Sequence, residues 1–195
     1  MALNTSRLRN PALKEFADDN LNNLAKCVYL GKPIVATANN IVTIANMKNG
    51  AYTIAAQPDV PRNITVTHAT VAVGVDTVGT ITIVGTDVFN NVITDIIIPA
   101  EADIQFGTKA FKTITSITGA GWVIAGGNDT ITVGVGAALG LPFAISAVLD
   151  VVFGVVGTAI VQPIVTASST QVANCTVSLA VGTYDGTKKV SVFTI

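Results

Sequence analysis

The segment Thr80-Ile-Thr-Ile-Val-Gly-Thr-Asp87 is followed by a polar turn and by Val92-Ile-Thr-Asp-Ile-Ile-Ile98. A similar alternation of apolar residues with Thr or Ser returns in Phe111-Lys-Thr-Ile-Thr-Ser-Ile-Thr118 and in Asp129-Thr-Ile-Thr-Val-Gly-Val135. A period of two residues is typical of half-buried strands, and Val, Ile and Thr fit a pleated surface better than a helix. The stretch from 80 to 135 therefore predicts antiparallel strands, and nothing in it resembles a catalytic motif.

The hairpin of residues 80–98 is the most clearly marked of these strand pairs. Ile81 and Ile83 share one face, since side chains two residues apart in a strand point the same way. The triple Ile96-Ile97-Ile98 is apolar on both faces. We therefore expect the second strand of the hairpin to be covered on both sides.

Turn signals predict two further hairpins. Asn49-Gly50 separates two β-like pieces within 41–55, and Asp185-Gly186 separates two strands within 172–195. Both dipeptides favour the tight turns of two-residue hairpin loops. Between 63 and 75 the apolar phase slips by one residue after His68, which predicts a bulge or a bend.

The run from Ala137 to Val165 is the most hydrophobic part of the chain, and Asp150 is its only charged residue. A transmembrane helix is one interpretation of such a run. Pro142, Gly154 and other Gly and Pro residues divide it, however, and its many valines favour strands. We predict several β segments, buried by oligomerisation.

Asn10-Pro11 begins the one amphipathic helix that the sequence predicts, over residues 11–28. Asn is a good N-cap, Pro suits the first helical position, and apolar residues follow at helical spacing. The preceding residues 1–9 are interpreted as an extended arm. The helix needs a surface to lie on, either its own β domain or a neighbouring chain. The predicted partner contacts in this region are Arg7, Arg9, Leu13 and Phe16.

The fold class that these patterns predict is mainly β, an antiparallel β-sandwich or barrel-like domain preceded by the arm and one amphipathic helix. Three units follow from the breaks in the pattern. Residues 1–32 hold the arm and helix, 33–60 form a short β connector, and 61–195 form the main β domain. A further division of the main domain is expected near residue 143.

The composition is apolar and poor in charge. Half of the 195 residues are hydrophobic, 12% are charged and the formal net charge is −1, whereas about a quarter of the residues of an average globular protein are charged. Such a balance gives no global field to attract nucleic acid or anionic lipid. It favours a subunit that neighbouring copies or a larger body cover. Cys27 and Cys175 are predicted to be buried free thiols, because their positions do not suggest a disulfide.

Candidates for catalysis or metal binding are few. His68 is the only histidine, so a site built from several histidines is excluded and a structural role is expected. Asp87 and Asp95 flank the 80–98 turn, where Asp commonly acts as a turn former. Glu101 and Asp103 could contribute to a Ca²⁺ site together with nearby carbonyls. No phosphate loop and no aromatic platform is present, so we expect neither an enzyme nor a cofactor or small-molecule substrate.

Several pieces of the chain resemble a group of structural proteins from tailed-bacteriophage virions. Residues 80–95 match their hairpin pattern Thr-Ile-Thr-Val-x-Gly-Thr-Asp-x-x-Gly-Asn-x-Ile-Thr-Glu. Phe111-Lys-Thr-Ile-Thr-Ser-Ile117, Val133-Gly134 and Leu139-Gly-Leu-Pro-Phe143 match the motifs that follow it. The chain departs from the pattern at Asn90, where the group usually has Gly, but Asn tolerates the left-handed conformation. The resemblance covers roughly residues 62–143.

This resemblance implies membership of a virion more than any one role within it. The apolar helix and the arm with Arg7 and Arg9 favour a capsid decoration protein as the first hypothesis. Such a protein would bind the major capsid protein on the head exterior and would self-associate, with a homotrimer expected. We expect no nucleic acid, no membrane and no small-molecule substrate as a partner. Residues 1–9 contain no apolar signal-peptide core, so we expect synthesis in a host cytoplasm and final residence in the virion. Two alternatives remain at this point, namely another virion subunit (neck, tail tube or fibre base) and a secreted carbohydrate-binding or hydrolytic β domain.

Overall fold

The computed structural model describes residues 26–71, 76–179 and 184–194. These residues form a mainly β structure in which every strand pair is antiparallel. The strands within the described ranges are β1 (Lys26–Gly31), β2 (Thr37–Asn46), β3 (Gly50–Ala51), β4 (Arg62–Ala69), β5 (Thr80–Thr86), β6 (Val92–Ile97), β7 (Ile104–Phe111), β8 (Thr113–Ala120), β9 (Thr130–Gly140), β10 (Val151–Val156), β11 (Ala159–Val161), β12 (Pro163–Thr166), β13 (Thr176–Leu179) and β14 (Val190–Thr194). The predicted mainly β, antiparallel class is confirmed.

The strands form three sheets. The terminal sheet has the order β1-β14-β10-β11, and the hairpin sheet has the order β3-β8-β5-β6. The central sheet has the order β12-β13-β9-β4-β7, and β2 also pairs with β9. Single-turn 3-10 helices occupy Val148–Asp150 and Val172–Asn174.

The predicted 80–98 hairpin is confirmed as β5 and β6. Ile81 and Ile83 are fully buried. In the turn, Asp87 acts as predicted, because its Oδ1 accepts hydrogen bonds from the N–H groups of Phe89 and Asn91. Asn90 has a φ of 66°, so it takes the left-handed conformation that a Gly would also accept.

The expectation that Ile96-Ile97-Ile98 is covered on both sides is wrong for this chain alone. Ile97 is buried, but Ile96 is 62% and Ile98 is 66% exposed. These two exposures show that the described residues leave the outer side of this strand largely uncovered. The strand is therefore half-buried, with an apolar outer side.

Neither of the other two predicted hairpins forms. β2 pairs with β9 and β3 pairs with β8, so Asn49-Gly50 connects two sheets. Gly50 nevertheless has the positive φ, 108°, that its turn signal implies. In the same way, β13 lies in the central sheet and β14 in the terminal sheet. A local turn signal sets a change of direction, but long-range pairing decides the partner strand.

Most of the predicted helix 11–28 lies outside the described residues. Its last part is wrong, because Lys26 to Val28 belong to strand β1, which pairs with β14. Cys27 and Tyr29 alternate there with the more buried Val28 and Leu30, which is a strand pattern. The prediction for Cys27 is also wrong, since this thiol is exposed, whereas Cys175 is buried and both are free.

The apolar run from 137 to 165 forms strands, as predicted. It contains the end of β9, all of β10 and β11, and most of β12. Among the described residues, no helix is long and apolar enough to cross a membrane. The predicted slip after His68 is not the site of a bulge: β4 ends at Ala69, and its register shifts lie between Arg62 and Thr65.

Two hydrophobic clusters form the interior. The first lies between the hairpin sheet and the central sheet and includes Phe111, Ile131 and Val133. The second lies between the central sheet and the terminal sheet and includes Leu139 and Val192. Strand β9 contributes to both clusters, with its first half to one and its last residues to the other. β9 is thus the strand on which the described fold is built.

Candidate assembly surface

The residues predicted to contact a partner, Arg7, Arg9, Leu13 and Phe16, lie outside the described residues. The candidate surface is therefore built from the outer faces of the sheets. On these faces the side chains alternate with those that enter the two clusters, as the pleat of a strand requires.

The outer face of the hairpin sheet is a continuous surface of small and β-branched side chains. Its register places Thr82 of β5 between Thr118 of β8 and Ile96 of β6. The neighbouring rows repeat this arrangement along the sheet. We call this surface the threonine face, and its twelve residues are Ala51, Thr80, Thr82, Val84, Thr86, Val92, Thr94, Ile96, Thr113, Ser116, Thr118 and Ala120.

The threonine face contains no ionisable side chain. Two lysines that precede β8 in the chain are bound at the margin of this face. Lys109 Nζ donates a hydrogen bond to the carbonyl of Thr94 at 2.5 Å, and Lys112 Nζ donates to Oδ1 of Asn90 in the turn at 2.9 Å. The face is therefore neutral, with positive charge only at its edge.

Much of this neutral surface is open to solvent. Val92 is 76% and Ile96 is 62% exposed, and full burial of such a side chain is worth about 1.5–3 kcal/mol. Some hydroxyls are already bonded within the sheet: Thr86 and Thr113 share a hydrogen bond of 2.6 Å, and Thr115 donates to the carbonyl of Val84. Because Thr86 and Thr113 bond each other, covering the face leaves two fewer of its seven hydroxyls unsatisfied.

The outer face of the terminal sheet is a second uncharged surface. Tyr29 and Ile160, at the two edges of one row, are 55% and 75% exposed. In the next row Phe153 and Phe193 stack with ring centroids 4.4 Å apart and planes 18° from parallel. Two faces on different sheets thus offer apolar contact area.

A buried polar cluster joins the end of β4 to the start of β9. His68 Nε2 lies 3.0 Å from Oδ2 of Asp129, and the other oxygen of Asp129 accepts a hydrogen bond from the N–H of Val71. His68 is 2% and Asp129 is 3% exposed, so a substrate could not reach this pair. The burial fits the structural role predicted for His68.

Asp76 belongs to the same region, and its surroundings lower its pKa. The N–H of Ala125, which donates to Asp76 Oδ1 at 2.6 Å, holds the pKa of Asp76 below its ordinary value, and burial opposes this only in part. A smaller contribution in the same direction comes from the N–H of Gly126. The pKa of Asp185, in the 185–188 turn, is also lowered, because its carboxylate accepts hydrogen bonds from the N–H groups of Lys188 and Thr187.

These two carboxylates predict a loss of stability in acid. A carboxylate whose pKa is lower in the folded state stabilises the protein above its unfolded pKa, near pH 4, and loses that contribution as the pH falls further. We expect the urea concentration at the unfolding midpoint to decrease as the pH is lowered below about 4. The decline should be shallower in Asp76→Asn and shallower still in the double variant with Asp185→Asn. Equal pH profiles for the wild type and both variants would contradict this assignment.

Arg62 forms a second buried cluster, on the first residue of β4. Its side chain is fully buried, its Nε donates to the carbonyl of Gly136 at 2.7 Å, and its Nη1 donates to the carbonyl of Ile34 at 3.1 Å. The same Nη1 lies 3.0 Å from Oδ1 of Asp59, and the guanidinium lies 6.0 Å from the ring centre of Tyr184. Burial raises the pKa of the Tyr184 phenol. The cluster joins β4, β9 and the 34–59 segment.

Asp95 has a role other than the turn role predicted for it. This buried residue of β6 accepts hydrogen bonds at Oδ2 from the N–H of Thr108 at 2.7 Å and from that of Lys109 at 3.1 Å, both on β7. Gly107 allows the close approach, because a Cβ there would lie 2.7 Å from Asp95 Oδ2. One carboxylate therefore links the hairpin sheet to the central sheet.

The calcium hypothesis gains no support from the described part of the chain. Glu101 Oε1 accepts a hydrogen bond from the hydroxyl of Thr70, and Asp103 Oδ1 accepts one from the N–H of Ile104. Within residues 26–71, 76–179 and 184–194, no group of three or more His, Cys, Asp or Glu side chains is placed to hold a metal ion.

The chain matches no protein-family model, no curated protein and no solved structure. Its function is therefore argued from its own residues.

Sequence reasoning found the strands of the threonine face but not the face itself. The alternation in 80–86 shows that one side of β5 is buried, and it leaves open whether the other side is covered. Arg62 was missed because nothing in its local sequence indicates burial. Its partners Ile34 and Gly136 lie 28 and 74 residues away in the chain.

Proposed function

We propose that this chain is a structural protein of a tailed-phage virion, namely a capsid decoration protein that binds the major capsid protein on the head exterior and stabilises the shell. The observation that carries the proposal is the threonine face, a neutral sheet surface of twelve side chains with Val92 and Ile96 largely exposed. A surface of this kind suits permanent cover by protein and does not suit a soluble ligand. The resemblance of residues 80–95 to virion hairpins supports the same class of protein.

In this proposal two parts of the chain have different partners. The basic arm with Arg7 and Arg9 and the apolar residues Leu13 and Phe16 contact the major capsid protein. The neutral sheet faces meet other copies of the chain, which works as a homo-oligomer. The described buried polar clusters, around His68 and Arg62, hold the sheets in place and take no part in chemistry.

The test is binding to expanded heads that lack the protein, measured by co-sedimentation. Deletion of residues 1–25, which leaves β1 intact, should reduce occupancy by more than about tenfold, as loss of a central contact does. Arg7→Ala with Arg9→Ala should weaken binding and reduce its dependence on salt. The matched control is Lys188→Ala with Lys189→Ala, which also removes two positive charges and should bind like the wild type. Undiminished binding after the deletion would refute the proposed contact with the capsid.

A second candidate function is a tail-tube, neck or fibre-base subunit. The observation that favours it is the presence of two separate uncharged faces, on the hairpin sheet and on the terminal sheet. If one face met the other on the next copy, the contact would be head-to-tail, and the chain would form a ring where the rotation closes or a filament where it does not. Electron microscopy of the purified protein separates the two functions, since a decoration protein should remain a small oligomer.

A further inference from the structure

We propose that the threonine face binds the same face of a second copy of this chain, so that two hairpin sheets stack across a two-fold axis. This inference rests on the proposed function and deepens it, because it names the surface through which copies meet, as a two-fold pair and not as the homotrimer expected from the resemblance. The first reason is chemical. None of the twelve side chains is ionisable, so the face offers no charge to pair with a phosphate, a lipid headgroup or a charged peptide.

The second reason is the symmetry of the contact. A two-fold contact places the same patch on both partners, which a neutral patch tolerates and a patch with charges of one sign does not. Sheets that pack face to face lie about 10 Å apart with their strands nearly aligned. β5 is an inner strand of the hairpin sheet, with β8 on one side and β6 on the other. Thr82, near the middle of β5, is therefore expected close to the axis.

The third reason is size. Four strands about 4.8 Å apart and seven residues of about 3.3 Å each give a face of roughly 19 by 23 Å. A standard interface buries about 800 Å² and 20–30 residues on each partner, so this face of about 400 Å² and twelve residues predicts a weak contact by itself. A second contact within an assembly would strengthen it through effective concentration.

The most exposed part of the face lies along β6. Val92 and Ile96 are 76% and 62% exposed, and Ile98 just beyond the strand is 66% exposed. These side chains explain why Ile96-Ile97-Ile98 is apolar on both sides of the strand. Ile97 enters the first cluster of the same chain, and Ile96 and Ile98 are buried by the second copy.

The experiment compares two lysine substitutions by sedimentation equilibrium, both in a Cys27→Ser background. Ile96→Lys places a charge in the threonine face, whereas the control Ile160→Lys places one at a 75% exposed isoleucine of the terminal sheet. Ile96→Lys should halve the mass of the assembly and weaken the contact more than about thirtyfold, while Ile160→Lys leaves the face contact unchanged. Because the contact is apolar, raising the salt concentration should not weaken it in the wild type.

A cross-link tests the same contact without a destabilising charge. Thr82→Cys, again with Cys27→Ser, should form an interchain disulfide on oxidation, and Ile160→Cys should not. The inference would be overturned if the wild-type protein and Ile96→Lys had the same mass at every concentration up to about 1 mM. A trimer that Ile96→Lys converts to monomer would also overturn it, since the face would then meet a different surface. Head binding by the arm is scored separately, so its failure leaves this result unchanged.

Discussion

Replacing Arg62 with methionine is expected to lower the free energy of unfolding by about 2–4 kcal/mol, because each acceptor left without its donor costs about 1–3 kcal/mol when it is buried and less when it is exposed. The side chain is fully buried, and its loss leaves the carboxylate of Asp59 and the carbonyls of Ile34 and Gly136 without their donor. Methionine fills a similar volume, so a cavity contributes little. Urea unfolding followed by circular dichroism measures the change.

The control for this substitution is Lys188→Met. Lys188 pairs with Asp185 at 3.1 Å, but both side chains are more than a third exposed, at 44% and 36%. An exposed pair contributes at most about 1 kcal/mol. If Arg62→Met and Lys188→Met cost the same, the cluster around Arg62 does not stabilise the fold. Arg62→Lys should fall between them, because a single ammonium cannot reach all three acceptors.

Gly134→Ala should destabilise the protein by at least about 3 kcal/mol, at the upper end of the range for overpacking. A Cβ at this position would lie 1.8 Å from the carbonyl oxygen of Thr37 and 2.7 Å from the Cα of Ala38. Both contacts are with backbone, so no side chain can turn away, and β2 must move off β9. Compared with the wild type, Gly134→Ala should show faster amide hydrogen exchange in β2 and a smaller change in β5, which lies in another sheet.

Gly50→Ala is the matched control for a methyl group added to a glycine. No atom lies within 4 Å of a Cβ at Gly50, but its φ is 108°. The cost there is conformational, about 1–2 kcal/mol, and β2 should stay paired with β9. Selective loss of β2 protection in Gly134→Ala but not in Gly50→Ala separates steric conflict from backbone strain. Equal protection in both variants would contradict the close approach of β2 to β9.

The parts of the fold that the sequence predicted are those set by neighbouring residues. The β5–β6 hairpin follows from its alternation and from Asp87 and Asn90 in the turn, which act through the backbone of residues 87–91. The strands in 137–165 follow from their valines and from the Gly and Pro residues that divide them. In each case the deciding contacts lie within a few positions along the chain.

The parts that failed depend on residues far apart in the sequence. Asn49-Gly50 gives its turn, but β2 and β3 pair with β9 and β8, which lie about 70 or more residues further on. Lys26 to Val28 satisfies a helical pattern and still joins β14, at the opposite end of the chain. Tertiary pairing overrides a local preference when the strand completes a sheet.

The candidate surface was predictable only in part. Alternation in β5 marks one side as buried, and Ile81 and Ile83 are on that side. What covers the other side is a property of a second molecule, and one chain's sequence does not state it. The prediction that Ile96 and Ile98 are covered was wrong for the single chain, and it becomes a prediction about the assembly.

The order of the two clusters along the chain has a consequence for how this protein could have been pieced together. Leu30 and residues of 139–192 supply the buried members of the second cluster, whereas those of the first all lie at 41–135, between them. A single cut in the polypeptide therefore cannot yield two halves that each keep a complete interior. Diversification is then confined to the outward-facing rows, where a change of partner leaves both interiors untouched.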